Sequence, residues 1–267
     1  MFGACIKRVV NWAVGARKKY PKRRTLAIKV DYRLAYRRDH LNAEMAIQTC
    51  TQLPEENLAI ISLRLTFGGS PGPYEWGVLS EFICKLVNEI LQNERWDQEK
   101  LFAPNSSLVP KKKTLDDDVP SEEGRDLIVD VPIEPKGFVD IYIGDMIELT
   151  VDLKKNNDTR LERSILLAIH VAARPMQNGE PILREEMAAI SKLTAEAGLE
   201  EMKMILGWLV NFRSLQISLP DNKFVLWTES ITENLRKMKS TAKELEQNIG
   251  RLVHLGMTIP AIHDLLS

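Results

Sequence analysis

Phe138-Val139-Asp140-Ile141-Tyr142-Ile143-Gly144-Asp145, continued by Met146-Ile147-Glu148-Leu149-Thr150-Val151, decides how the rest of the chain is read. Two apolar runs rich in β-branched residues flank a short break, which predicts a β-hairpin. Asp145 then stands at its tip, between two buried strands and next to Gly144. Any hairpin can carry an Asp at its turn, so this stretch alone specifies no chemistry. Its weight comes from three other segments that occur in a consistent order around it.

Upstream, Thr25–Tyr32 reads as a strand with Leu26, Ile28 and Val30 alternating inward, and it delivers Asp31 to its end, followed by Leu34-Ala35-Tyr36. By itself Asp31 reads equally well as a helix N-cap. Next, Leu65-Thr66-Phe67-Gly68-Gly69-Ser70-Pro71 leads into a predicted helix over 74–93, with Trp76, Leu79, Phe82, Ile83, Leu86, Val87 and Ile90 on one stripe. Its glycines let backbone lie close against a nucleotide. No Gly-Lys-Ser/Thr follows, so it is not a phosphate-binding P-loop, and a plain β-to-α turn is the simpler reading. Downstream, helices are expected over 160–173 and 184–197, the second closed by Gly198 as a C-cap. Met204–Val210 and Leu215–Leu219 predict a hairpin around 211–214 that contains Leu206-Gly207-Trp208. Residues 229–255 predict a helical pair or a broken long helix.

The remaining chain fits an ordinary globular protein. Its 267 residues are 44% hydrophobic and 27% charged, and Cys5, Cys50 and Cys84 show no metal-ligand spacing, which suggests a reduced, intracellular setting. No apolar run is long enough for a membrane span, and no signal-peptide order is present. The net charge of -1 hides an uneven distribution. Residues 1–40 hold twelve Lys/Arg against Asp31 and Asp39, a footprint expected of phosphate contacts; a solvated face of the amphipathic helix expected over 4–19 is the plainer reading. Further strands are expected over 57–66 and 127–131. Between them, 94–126 is rich in Pro, Lys and Asp and reads as a mobile surface insertion.

Together the four segments resemble the palm of retroelement reverse transcriptases. Asp31 with Ala35-Tyr36 is similar to the first catalytic motif, an Asp, three residues, an Ala and an aromatic. Phe67-Gly68 through Ser70-Pro71 resembles the second motif, and Tyr142-Ile143-Gly144-Asp145 resembles the Tyr-x-Asp-Asp box. Gly198-Leu199 with Lys203, then Leu206-Gly207-Trp208, resembles the later palm helix and the primer-grip hairpin. Leu219-Pro220, Lys223, Trp227, Ile231, Ile249 to His254 and Ile259-Pro260 follow the thumb pattern of retroviral and retrotransposon enzymes. The resemblance covers about Thr25 to Pro260 apart from the insertion.

The resemblance implies an RNA-directed DNA polymerase. Two Mg²⁺ ions roughly 3.5–4 Å apart would serve nucleotidyl transfer from dNTPs to a primer 3′-hydroxyl on an RNA or DNA template. It implies Asp31 and Asp145 as catalytic metal ligands, Tyr36, Phe67 and Gly68 as nucleotide-binding residues, and Leu206, Gly207 and Trp208 as the primer grip. Tyr36 would be the gate against ribonucleotides. Lys203 would donate a proton to pyrophosphate, though a solvated helix lysine is the alternative. Gly144 replaces a third metal ligand, and Asp140 lies too far along its strand, at ~3.3 Å per residue, to substitute. Two carboxylates for two hard dications imply weak metal affinity and low turnover; the alternative is a catalytically inactive nucleic-acid-binding remnant.

The expected fold is α+β, a polymerase palm with an antiparallel sheet backed by helices on one face, plus a C-terminal helical thumb. The boundaries expected are a basic N-terminal helix over 1–24, a palm over 25–228 and a thumb over 229–267. Little precedes the first motif to form fingers, and the chain stops where a ribonuclease H domain would begin. A fragment of a retrotransposon polyprotein is therefore expected, with ribonuclease H and integrase as further partners.

Overall fold

Apolar alternation along three strands builds one small sheet with two buried faces. The computed structural model describes residues 4–66, 72–99, 103–111, 122–128, 130–153, 155–172 (backbone alone for 155–158), 186–237, 239–256 and 258–259. The elements in chain order are α1 (Cys5–Lys19), β1 (Thr25–Asp31), α2 (Ala43–Ile47), β2 (Thr51–Leu53), β3 (Leu58–Ile60), α3 (Gly72–Gln92), β4 (Phe138–Tyr142), β5 (Asp145–Val151), α4 (Lys155–Ala172), α5 (Ile190–Glu196), β6 (Met202–Ile205), β7 (Trp208–Asn211), β8 (Gln216–Ser218), α6 (Asp221–Lys237) and α7 (Ala242–Gly256). Helices and antiparallel strands are intermixed, an α+β fold.

The main sheet has the order β1-β5-β4, with both pairings antiparallel. Leu26, Ile28, Val30, Val139, Ile141 and Met146 enter one core with residues of α3 and α4. Ala27, Ile147, Leu149 and Val151 enter a second core beneath α1, shared with Trp208 and Val210. The expectation of one covered face is therefore corrected: α1 lays Ile6, Val9, Trp12, Ala13 and Ala16 on the opposite face. Burial on both faces explains why six of the seven β1 residues are buried and Lys29 alone is half-buried.

Four other expectations change. Of residues 57–66 only Leu58–Ile60 form a strand; it pairs with β2 as a two-stranded ribbon in which every residue is exposed. The described residues of 127–131 form no strand, and Val131 and Ile133 pack individually into the second core. Phe82 is exposed, so the buried stripe of α3 is turned relative to expectation and runs also through Ser80, Cys84 and Leu91. The helix expected over 184–197 is helical only over Ile190–Glu196, because Ala188 bridges to Tyr32 and pairing holds that backbone extended. Ala197 ends α5 at φ −81, and Gly198 does not adopt the left-handed conformation of a C-cap glycine. Residues 184 and 185 lie outside the described residues.

The described parts of 94–126 also dock. Trp96, Ala103 and Val109 are buried, the last two in the core beneath α3 and α4. Arg160 explains the docking of Trp96. Its guanidinium donates to the carbonyl oxygens of Leu91 (2.7 Å), Trp96 (2.9 Å), Ile90 (3.2 Å) and Asn93, so it closes the carbonyl end of α3 and stacks on the Trp96 ring at 4.7 Å.

A second sheet, β6-β7-β8, turns at Leu206-Gly207 and is tied to β1 by reciprocal hydrogen bonds between Ala27 and Glu200. The expected hairpin around 211–214 is β7–β8, and Met204–Val210 itself spans two strands. The α6–α7 pair begins at Asp221, so the boundary expected at 228/229 falls within α6. Neither helix has a buried residue among those described.

Candidate functional site

Tyr142 pairs with Asp145, which leaves Ile143-Gly144 as the two-residue turn of the β4–β5 hairpin. Ile143 carries the left-handed conformation (φ 54) and Gly144 does not. A β-branched residue there is an outlier and must be held by its surroundings. Two bonds hold it. The Trp76 indole N–H donates to the Ile143 carbonyl at 2.6 Å, and the Tyr32 amide donates to the Gly144 carbonyl at 2.8 Å. The tip is thus joined to α3 and to the exit of β1.

The same register sets Asp31 directly opposite Asp145. Strand alternation brings Lys29 to the face of Asp31, two residues upstream. Its ammonium lies 3.4 Å from Asp31 Oδ2 and 3.7 Å from Asp145 Oδ1. The free edge of β1 completes the site. Ala189 donates to the Asp31 carbonyl at 2.9 Å and Glu200 exchanges bonds with Ala27, so both ends of the α5 segment are fastened to β1. That helix supplies Lys192, with Nζ 3.1 Å from Asp31 Oδ1, and Glu196, with Oε2 3.5 Å from Lys29 Nζ.

The two facing acids cannot both ionise freely. Burial, then the hydrogen bond to Asp31, pushes the Asp145 carboxyl up to about 7. Burial also raises Asp31, but the Asp145 hydrogen bond and the Lys29 and Lys192 ammoniums outweigh it and hold that carboxyl below its ordinary value. For Lys29, burial lowers and the surrounding carboxylates raise, and the carboxylates prevail. Asp145 is thus driven towards its protonated form and Asp31 towards its ionised form, with two ammoniums beside them.

This donor set does not fit two Mg²⁺ ions. Each ion requires near-octahedral oxygen ligation, and no group of three or more His, Cys, Asp or Glu capable of holding a metal occurs among the described residues. Gly144 contributes no carboxylate, and ammoniums stand where cations would. Asp140 is unavailable: Arg8 grips it with Nε 2.7 Å from Oδ2 and Nη2 2.8 Å from Oδ1.

The other expected site residues divide. Tyr36 is buried in the core of α3 and α4, in a short 3₁₀ turn whose Ala35 Cβ lies beside Gly144, and burial raises its phenol. Phe67 and Gly68 lie outside the described residues. Lys203 is buried on strand β6, not on a helix, with Nζ donating to the Gly198 carbonyl at 2.7 Å and 3.3 Å from Glu200; the ammoniums that reach the acids are those of Lys29 and Lys192. Leu206 and Gly207 form the β6–β7 turn with φ 50 and 84, and Trp208 stacks on His254 of α7 at 5.1 Å. Trp227 of α6 meets the same imidazole edge-on at 5.7 Å, so this turn is where the helical pair attaches.

Sequence reading missed Lys29, Lys192 and Glu196. The period of two from Asp31 points to Lys29, and the i,i+4 spacing puts Lys192 and Glu196 on one helix face; nothing local shows that this face meets β1. No model of a known protein family matches the chain, and no curated protein matches it.

Proposed function

We propose that this chain is a reverse-transcriptase-type palm with its thumb, descended from an RNA-directed DNA polymerase, which holds a primer–template but transfers nucleotides very slowly. The observation that carries the reading is the register of Asp31 opposite Asp145, with Gly144 at the adjacent turn position. Two acids widely separated in sequence meet at one sheet end, as the motif resemblance requires. The Leu206-Gly207 turn clasped by α7 through Trp208 and His254 supports the same reading, since a thumb must touch the primer grip to guide a duplex.

The slow turnover follows from the acids themselves. Their charge is already reduced by the raised Asp145 carboxyl and balanced by Lys29 and Lys192, so little negative potential remains to organise a transferring phosphoryl group. The test is equilibrium binding, by fluorescence anisotropy, of a DNA-primed RNA template against the same RNA unprimed. Preference for the primed junction is expected, with sequence-independent, salt-sensitive affinity. Equal affinity for both, or none for either, contradicts the reading.

A further inference from the structure

We propose that Lys29 is the resident cation of the Asp31–Asp145 pair: its ammonium sits between the two carboxyls, and a divalent ion can enter only by displacing it. This rests on the reading of the pair as the remains of a metal-dependent nucleotidyl-transfer site. The Lys29 ammonium has three carboxyl groups within ion-pairing range, Asp31 at 3.4 Å, Glu196 at 3.5 Å and Asp145 at 3.7 Å. Three carboxyl groups at ion-pairing distance suit an ammonium, whereas a hard dication requires a fuller shell of closely held oxygen ligands.

Position distinguishes this lysine from a surface counter-ion. Its side chain is 13% exposed, whereas that of Lys192 is 53% exposed. Lys29 also stands in the middle of β1, paired to Ile147 of β5, with the free edge closed on either side of it at Ala27 and Asp31. The ammonium is therefore largely covered and reaches solvent far less readily than that of Lys192, which is more than half exposed. Lys29 is the cation with which a metal must compete, and Gly144 withholds the third carboxylate that would tip the competition.

The experiment is Mn²⁺ binding to the full chain followed by electron paramagnetic resonance, which needs no turnover. The unmutated chain is compared with Lys29→Met, Lys29→Arg, and Lys29→Met combined with Asp145→Asn. Removing a unit positive charge this close to the carboxyls should tighten Mn²⁺ by about tenfold or more. Lys29→Arg should bind like the unmutated chain, and Asp145→Asn should cancel the gain. A folded Lys29→Met that binds no tighter, or a gain that survives Asp145→Asn, overturns the proposal.

Should Lys29→Met fail to fold, the ¹⁵N resonance of the Lys29 ammonium in the unmutated chain decides. Protons protected from exchange, and lost only as Mn²⁺ saturates, support it; a freely exchanging ammonium indifferent to Mn²⁺ overturns it. Failure of the junction-binding test with a Mn²⁺ gain in Lys29→Met would sink the polymerase reading and leave the resident cation standing. The reverse pattern would do the opposite.

Discussion

Asp31 and Asp145 are chemically identical and are driven apart by a few ångströms of surroundings. Asp145 holds its proton to about pH 7 in the folded chain, against about 3.9 unfolded. A folded-state value above the unfolded one means that its stabilisation is complete below about pH 4 and is lost as pH rises through 7. Asp31, lowered, acts only at more acid pH, where protonation removes its contribution. Stability between pH 4 and 7 should therefore fall less steeply in Asp145→Asn than in the unmutated chain, as measured by urea midpoints across that range; parallel curves would contradict a raised Asp145 carboxyl. Glu148 is a second buried acid. It is fully buried on the α3–α4 face, neither oxygen has a hydrogen-bond partner among the described residues, and burial raises its carboxyl well above the ordinary value. Glu148→Met should stabilise the chain by about 1–3 kcal/mol, the penalty of an unpaired buried polar group, with the larger gain at high pH where ionisation is demanded. A lower melting temperature would mean that Glu148 has a bound partner. At this scale Asp31 and Asp145 were legible from motif order, whereas Glu148 was not, because it hides in an otherwise apolar run.

Elements were legible where period and packing agreed. The α1 stripe, β1 and the β4–β5 hairpin fall within about two residues of expectation because each is amphipathic or bounded by turn residues. Residues 57–66 and 127–131 carry the same β-branched residues, yet the described residues of neither segment join the main sheet, and propensity alone does not make a strand. The segment 94–126 misled for the opposite reason: its composition is polar, but Trp96, Ala103 and Val109 are buried. Replacing it with a short Gly/Ser linker should therefore destabilise the fold, since these buried side chains would be lost. Arg160, which ties Trp96 to the end of α3, is the sharper probe. Arg160→Met leaves several inward carbonyls without a donor and should cost about 2–4 kcal/mol, read as a lower urea midpoint. An unchanged midpoint would detach this segment from the fold.

Across the whole molecule, the basic amino-terminal region turns out to be partly internal. Arg17 is buried, donating to the carbonyls of Phe212 at 2.9 Å and Arg213 at 3.0 Å. Arg8 holds Asp140, Lys18 pairs with Asp126, and Lys19 donates to the Ile133 carbonyl. Lys22 and Arg23 are exposed just beyond α1. Charge reversal at these two should flatten the dependence of duplex affinity on salt, whereas Arg17→Glu should unfold the chain before it affects binding. A slope unchanged by the first substitution would move the duplex to another face. The larger claim, that the Asp31–Asp145 pair is a nucleotidyl-transfer site lacking its third carboxylate, has a direct test. Among the described residues a Cβ at Gly144 meets only the Ala35 Cβ, at 3.5 Å, and the backbone there is not left-handed, so Gly144→Asp should fold. The measurement is Mg²⁺-dependent incorporation of one templated nucleotide on a DNA-primed RNA. The account predicts little or no incorporation by the unmutated chain, ~100-fold or more by Gly144→Asp, and loss of that gain when Asp31→Asn is added. Appreciable synthesis by the unmutated chain, or a folded, duplex-bound Gly144→Asp that remains silent, would contradict it.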